Sequence, residues 1–353
     1  MPSRPDVIFV VLDTLRRDRL SAYGHGRDTS PRFDAFAQGG TLFERAIAPA
    51  QWTIPAHGSL FTGLYPSTHQ LTQAYQQLAP AYPTLAEILQ ASGYHTVGFC
   101  NNPLLGVLEN GLQRGFDHFF NYAGAAPDRP VDLQRSAARR AITSRFRRFA
   151  RRISNRFAHN DALFRLSLHP WIVPAWSRMV NFKGNTARSV DDLIAYYEQH
   201  HAGGPQQPLF AFANLMGAHL PYHPSQQMLR HVAPDLAQDQ HAFRYMSRHN
   251  ASAVEWISPT EEPLADWQQR TLEGFYEAEI AAQDAELGRL LDALRRSGRL
   301  ENTLVVLVAD HGEGHGDHGY MGHSFVVYQE LVHVPLLLHL AAGDGMPAAV
   351  MAL

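Results

Sequence analysis

The chain has 353 residues, 45% of them apolar and 18% charged, with a formal net charge of −3. That is material for one large α/β domain or two smaller ones, and the slight negative charge argues against a general nucleic-acid binder. A single cysteine, Cys100, excludes an intramolecular disulfide and any cysteine-built zinc site. Twenty histidines, crowded toward the last third, hint at metal or anion chemistry. No signal-peptide pattern and no membrane-length apolar run is visible, so the expectation is a cytoplasmic enzyme.

Val7–Leu12 is a continuous apolar, β-branched run, which predicts a central parallel strand buried on both faces with Asp13 at its carboxyl end. In open α/β sheets that edge is where ligands bind. Ser30-Pro31 predicts a capped helix through about Gln38, and Pro55 predicts a second helix with Gly63 near its end. Leu85–Ala91 reads as a short helix, closed by Gly93, and His95–Cys100 as the next strand. Phe210–Leu215 repeats the strand pattern. Asp266 and Gln269 form a capping box for a long helix. Its Leu272, Tyr276, Ile280, Leu287, Leu291 and Leu294 keep helical spacing as far as Gly298. Leu304–Ala309 is a further strand, ending in Asp310-His311, and Val334–Leu340 is the last. Strands alternating with helices predict a mostly parallel sheet.

Two stretches break the alternation. Between Leu133 and Asn160 stand nine arginines and no acidic residue, with Ile142, Phe146, Phe149, Ile153 and Phe157 at intervals of four and three. The pattern is a basic amphipathic helix. It either packs its aromatic face on the domain or, over residues 135–157, makes a lid or a peripheral contact with anionic membrane. Residues 341–353 carry no strand or capping pattern and are expected to fray.

The chemistry concentrates at predicted strand ends. Asp13 and Asp310 each close an apolar run, and His311 follows the second, a set suited to a hard divalent cation held by oxygen with one imidazole. Thr53 precedes a proline-started helix, where it is either an N-cap or a hydroxyl nucleophile favoured by the helix dipole. The stretch from Asp310 to His323 is dense in glycine, acid and histidine, and glycines let a loop fold tightly round an ion. His219 follows another predicted strand at the same edge, as a site residue or as a satisfied core histidine.

Taken together these segments resemble the sulfatase-like branch of the alkaline-phosphatase superfamily. Val10-Val11-Leu12-Asp13-Thr14-Leu15-Arg16 is similar to its first motif, and Thr53-Ile54-Pro55-Ala56-His57-Gly58-Ser59-Leu60-Phe61-Thr62-Gly63 to its nucleophile signature. Tyr276-Glu277-Ala278-Glu279-Ile280 with Asp284, the Asp310–His323 loop and Val334-Pro335-Leu336 complete the match in family order. The resemblance implies a three-layer α/β sandwich: one catalytic domain over residues 1–340, a helical insertion or lid at about 125–205, and an unpatterned tail. Family members continue past the last strand into a small C-terminal subdomain. That subdomain is expected to be missing or vestigial here, leaving a weakly stable chain.

The resemblance also implies roles. Asp13, Asp310 and His311 would hold one divalent metal ion (manganese, zinc or calcium), with Thr53 as fourth ligand and nucleophile. His219 and His323 would bind the transferring group or protonate the leaving oxygen, and His57 and Asn101 would bind substrate. His315 and His318 stand in reserve for a second metal.

True sulfatases carry a cysteine or serine that becomes formylglycine where this chain has Thr53, so no formylglycine is expected. They also carry arginine at the position of His57, often lysine at those of Asn101 or Asn102 and of His323, and a second acid at that of Thr14. A threonine ester lacks the carbon–oxygen cleavage that formylglycine offers, which favours phosphate or phosphonate esters over sulfate esters. The expected partner is a small-molecule or lipid-linked anionic ester. A phosphoethanolamine- or phosphoglycerol-type transferase, a sulfuric ester hydrolase and a non-catalytic relative are the alternatives. Nothing in the sequence bears on oligomeric state.

Overall fold

The apolar run near the amino terminus is strand β1 (Asp6–Leu12), at the centre of the sheet as its composition predicts. The computed structural model describes residues 4–123, 183–203, 207–252, 256–260 and 262–340. Within them lie β2 (Thr41–Ile47), β3 (His95–Cys100), β4 (His118–Asn121), β5 (Leu209–Leu215), β6 (Thr303–Val308) and β9 (His333–His339). With β1 these make a seven-stranded sheet in the order β2-β9-β6-β1-β5-β3-β4. β7 (Gly314–His315) and β8 (Met321–Gly322) pair separately. The five strands from β6 to β4 run parallel, and β9 is antiparallel to both β6 and β2.

Alternation along β1 explains why the run is apolar throughout. Ile8, Val10 and Leu12 point into one core, while Phe9 and Val11 point into the other. The first core is covered by helices Pro31–Ala37, Thr186–His201, Gln226–Val232 and Asp266–Arg296; the second by Thr53–Thr62, Leu85–Ala91 and Pro103–Gly106. The result is a three-layer sandwich with a mostly parallel sheet, as predicted.

The long helix buries all six residues named from its spacing. Its start differs from the expected box by one residue: Ala265 is the N-cap, and Gln268 Oε1 accepts the Ala265 N–H at 2.9 Å. Gln269 instead donates to Glu273 at 2.8 Å. Of the expected insertion, Thr186–His201 is a helix of the first layer, with Val190, Leu193 and Tyr197 buried in its core. The basic stretch 135–157 and the tail 341–353 lie outside the described residues.

Candidate active site

Strand order sets the site. β6, β1, β5 and β3 are neighbours, so their carboxyl ends line one edge. From that edge come Asp310 after β6, Asp13 after β1, Asn214 within β5, and Asn102 after β3. All four are buried. Residues almost three hundred positions apart thus meet because parallel strands return the chain to the same edge.

Asp13, Asp310 and His311 each offer a ligand atom within 4.8 Å of the other two. One oxygen of each carboxylate is committed to the protein. Asp13 Oδ2 accepts from the amides of Asn102 at 2.7 Å and Asn214 at 3.0 Å. Asp310 Oδ1 accepts the backbone N–H groups of His311 at 3.0 Å and Thr14 at 3.2 Å. Thr14 turns into the left-handed region (φ 58°) to present that N–H, and its hydroxyl donates to Asp13 O at 2.7 Å. The remaining oxygens, Asp13 Oδ1 and Asp310 Oδ2, are buried without a hydrogen-bond partner. Nδ1 of His311 donates to Gly312 O at 2.9 Å, which leaves the lone pair on Nε2. Two orphaned carboxylate oxygens beside one inward-facing imidazole lone pair fit a divalent cation.

The electrostatics agree. Burial and the Asp13 charge push Asp310 well above the ordinary carboxylate range. Burial acts the same way on Asp13, but His219, His311, the Asn214 amide and His57 outweigh it and hold Asp13 below that range. The pKa values of the two acids are thus pushed apart, as those of two carboxylates held close in a buried site are. Burial lowers the pKa values of His57, His219 and His311, and the charge of Asp13 pulls each the other way.

Thr53 is the first residue of its helix, with Trp52 in extended backbone as the N-cap, so its hydroxyl is not spent on capping. Oγ1 lies 3.5 Å from His311 Nε2 and 3.5 Å from Asn102 Nδ2. His323 stands over His311 with ring centroids 4.5 Å apart and meets His219 edge-on at 5.1 Å. Its Nδ1 contacts Glu313 Oε1 at 2.8 Å. Burial works against the His323 imidazolium, yet the Glu313 carboxylate offsets it and raises the pKa.

Two expected substrate-binding residues and the reserve pair of histidines take other roles. His57 is wholly buried: Nδ1 donates to Thr53 O at 2.9 Å, and Nε2 faces the Asn214 amide at 3.4 Å. Both ring nitrogens are thus engaged by protein, and His57 supports the nucleophile helix and Asp310, 3.5 Å away. Asn101 turns to Thr186, with Nδ2 3.4 Å from Oγ1, and its neighbour Asn102 faces the site. Of the reserve pair, His315 is buried against the Tyr222 hydroxyl at 2.9 Å, whereas His318 stacks on Tyr328 in a left-handed turn. Neither belongs to the acid–imidazole group.

The sequence leaves Asn101 and Asn102 as alternatives for one position, of which the fold turns Asn102 to the site, and it does not mark Asn214 or Glu313 as site residues. A polar side chain closing or interrupting an apolar strand at the ligand-binding edge was the available signal for Asn102 and Asn214.

The chain is similar to known proteins over almost all of its length. The chain is 22% identical over 360 residues to an N-acetylglucosamine-6-O-sulfatase of Bacteroides thetaiotaomicron, covering 95% of this chain and 62% of the relative. It is 22% identical over 347 residues to an arylsulfatase of Clostridium perfringens, covering 95% and 68%. This chain thus spans about two thirds of the relatives' length. Its fold matches the phosphonate monoester hydrolase of Agrobacterium radiobacter with a TM-score of 0.63 at 23% identity, covering 96% of this chain and 68% of the other. The sulfatase family model matches residues 5–344, a span that takes in every strand end described above, and the chain belongs to the sulfatase family.

Proposed function

We infer that the protein is a metal-dependent hydrolase that cleaves anionic phosphate or phosphonate esters through a covalent intermediate on Thr53. The observation that carries this reading is the place of Thr53 Oγ1, at the first turn of a buried helix and 3.5 Å from His311 Nε2. The positive end of the helix dipole favours an alkoxide and an anionic ester there. A divalent cation (manganese, zinc or calcium) held by Asp13, Asp310 and His311, with Thr53 as fourth ligand, supplies a lowered hydroxyl pKa and neutralises oxygen charge on the transferring group.

The residues then divide the work. Thr53 gives its hydroxyl proton to solvent, Oγ attacks phosphorus in line, the bond to the leaving oxygen breaks, and a phospho- or phosphonothreonine ester forms. Asn102 orients both the hydroxyl and Asp13. His323 gives a proton to the departing oxygen, and His219, packed on its edge, binds the transferring group. Water or an acceptor alcohol attacks phosphorus in turn and frees Thr53.

Matched aryl esters of phosphate, phosphonate and sulfate, assayed with each metal, test the substrate class. Higher kcat/KM on the phosphorus esters is expected, because Thr53 offers no formylglycine route. A second reading, a sulfuric ester hydrolase, is favoured by the curated relatives, which are named as sulfatases. Faster release of sulfate would select it.

A further inference from the structure

We propose that Glu313 is a positioning residue for the reaction, a buried carboxylate that fixes the His323 ring so that Nε2 serves the leaving oxygen. The proposal rests on the reading of His323 as proton donor given above.

Glu313 is wholly buried, two residues beyond His311. Burying a carboxylate is costly unless it is paired, so its presence in this interior calls for a partner. Its side chain meets His323 Nδ1 at 2.8 Å through Oε1, while Oε2 is buried without a hydrogen bond. A carboxylate at Nδ1 fixes the tautomer and the rotation of an imidazole and leaves Nε2 as its other exchangeable position.

The backbone beneath Glu313 is held from two sides. Arg16, leaving β1, donates from Nη1 to Glu313 O at 3.2 Å and to Asp317 at 2.7 Å. Asp18 pins the same guanidinium at 2.9 Å and 2.8 Å. On the other side Gly312 lies so close to the backbone that an added Cβ would stand 1.9 Å from Glu330 O. The carboxylate is therefore set by the fold, and the ring follows it.

In the step concerned, Thr53 has already lost its hydroxyl proton to solvent; the bond from its Oγ to phosphorus forms and that to the leaving oxygen breaks. The electron pair goes to the leaving oxygen, which takes the Nε2 proton of His323. The Nδ1 proton stays between His323 and Glu313 throughout.

The test uses Glu313→Gln, Glu313→Asp and His323→Ala in the full chain with Mn²⁺. Phosphonate esters are compared whose leaving groups run from nitrophenol to a simple alcohol, with Mn²⁺ binding measured by calorimetry. Glu313→Gln is expected to lower kcat about 10- to 100-fold for the alcohol, a part of what a positioned acid contributes. Nitrophenol, which leaves without a proton, is expected to lose less than about threefold, with KM and Mn²⁺ affinity unchanged. Glu313→Asp, which keeps the charge, is expected to recover part of the loss, and it carries the same test should Glu313→Gln not fold. Equal losses across the series, or losses that follow weakened Mn²⁺ binding, would overturn the proposal. His323→Ala separates the two levels. A leaving-group-dependent loss in His323→Ala but not in the Glu313 variants defeats the positioning role alone, and its absence in His323→Ala defeats the donor reading and this proposal together.

Discussion

Asn102 shows how much one side chain contributes beyond the ligand atoms. Its amide holds Asp13 Oδ2 at 2.7 Å and reaches Thr53 Oγ1 at 3.5 Å, so it ties metal centre to nucleophile. Outer partners of metal ligands typically matter by about 10- to 100-fold in affinity or activity. Asn102→Ala is therefore expected to weaken Mn²⁺ binding by about that factor in calorimetry, whereas Asn101→Ala leaves it within about threefold. Equal effects would erase the distinction between the two asparagines, and a larger loss in Asn101→Ala would reverse it. At this scale the sequence was informative where chemistry is rare. Asp13, Asp310 and His311 stood out because acids seldom end apolar strands, whereas Thr53 stood out through the motif around it, a threonine before a proline-started helix being also an ordinary N-cap. It was uninformative where two neighbouring asparagines differ only in the direction each side chain takes. The turning of His57 to Thr53 O and the Asn214 amide has the same origin: side-chain direction is set by tertiary packing, which a motif does not encode.

The helix Thr53–Thr62 carries the nucleophile, and its rear face is locked by another buried histidine. His69 Nδ1 accepts the Leu71 N–H at 3.0 Å, and its Nε2 donates to Ser59 Oγ at 3.1 Å. The ring cannot retreat without breaking both bonds, and an added Cβ at Gly58 would stand 2.8 Å from its Cε1. Gly58→Ala should accordingly destabilise the protein by about 1–3 kcal/mol, as overpacked cores do, and lower turnover by shifting Thr53. Chemical denaturation and kcat on the same sample check it; a variant of unchanged stability would show that the helix has slack here.

Elements with strong periodicity or buried composition were legible, including β1, β3, β5, β6 and the long helix. β2 was not, because it is an edge strand carrying Glu44 and Arg45 with a register shift between Phe43 and Ala46. Edge strands are kept polar and irregular, so they read as loops. The antiparallel direction of β9 was equally hidden, since a buried strand has the same composition whichever way it runs.

For the whole molecule, two cores on one sheet explain why the fold tolerates a polar edge, and also where acid should weaken it. His249 is buried in the helix Gln240–Ala251, and burial alone lowers its pKa to about 4. The unfolded chain protonates first, at the ordinary value of 6.5. Between these values it binds more protons than the folded chain, so stability is full above the unfolded pKa and falls as pH drops toward 4. At pH 5 this one group accounts for a loss of about 2 kcal/mol. In His249→Gln the difference in unfolding free energy between pH 7 and pH 5 should shrink by about that amount. An unchanged difference would remove His249 from the account of acid sensitivity.

The sequence supported this architecture at the level of layers and sheet, because alternation and strand-end chemistry survive translation into three dimensions. It carried less about how residues 183–203 join the first layer, since an amphipathic helix does not name the surface it packs on.

The central claim is that Thr53 is the metal-assisted nucleophile. It is tested most directly by measuring cleavage of an aryl phosphonate ester by wild-type and Thr53→Ala protein, each with Mn²⁺ and with chelator. The account predicts that chelator and the substitution each lower turnover by at least about 10³-fold, while Thr53→Ala keeps Mn²⁺ affinity within about tenfold. Turnover by Thr53→Ala at the wild-type rate would contradict it.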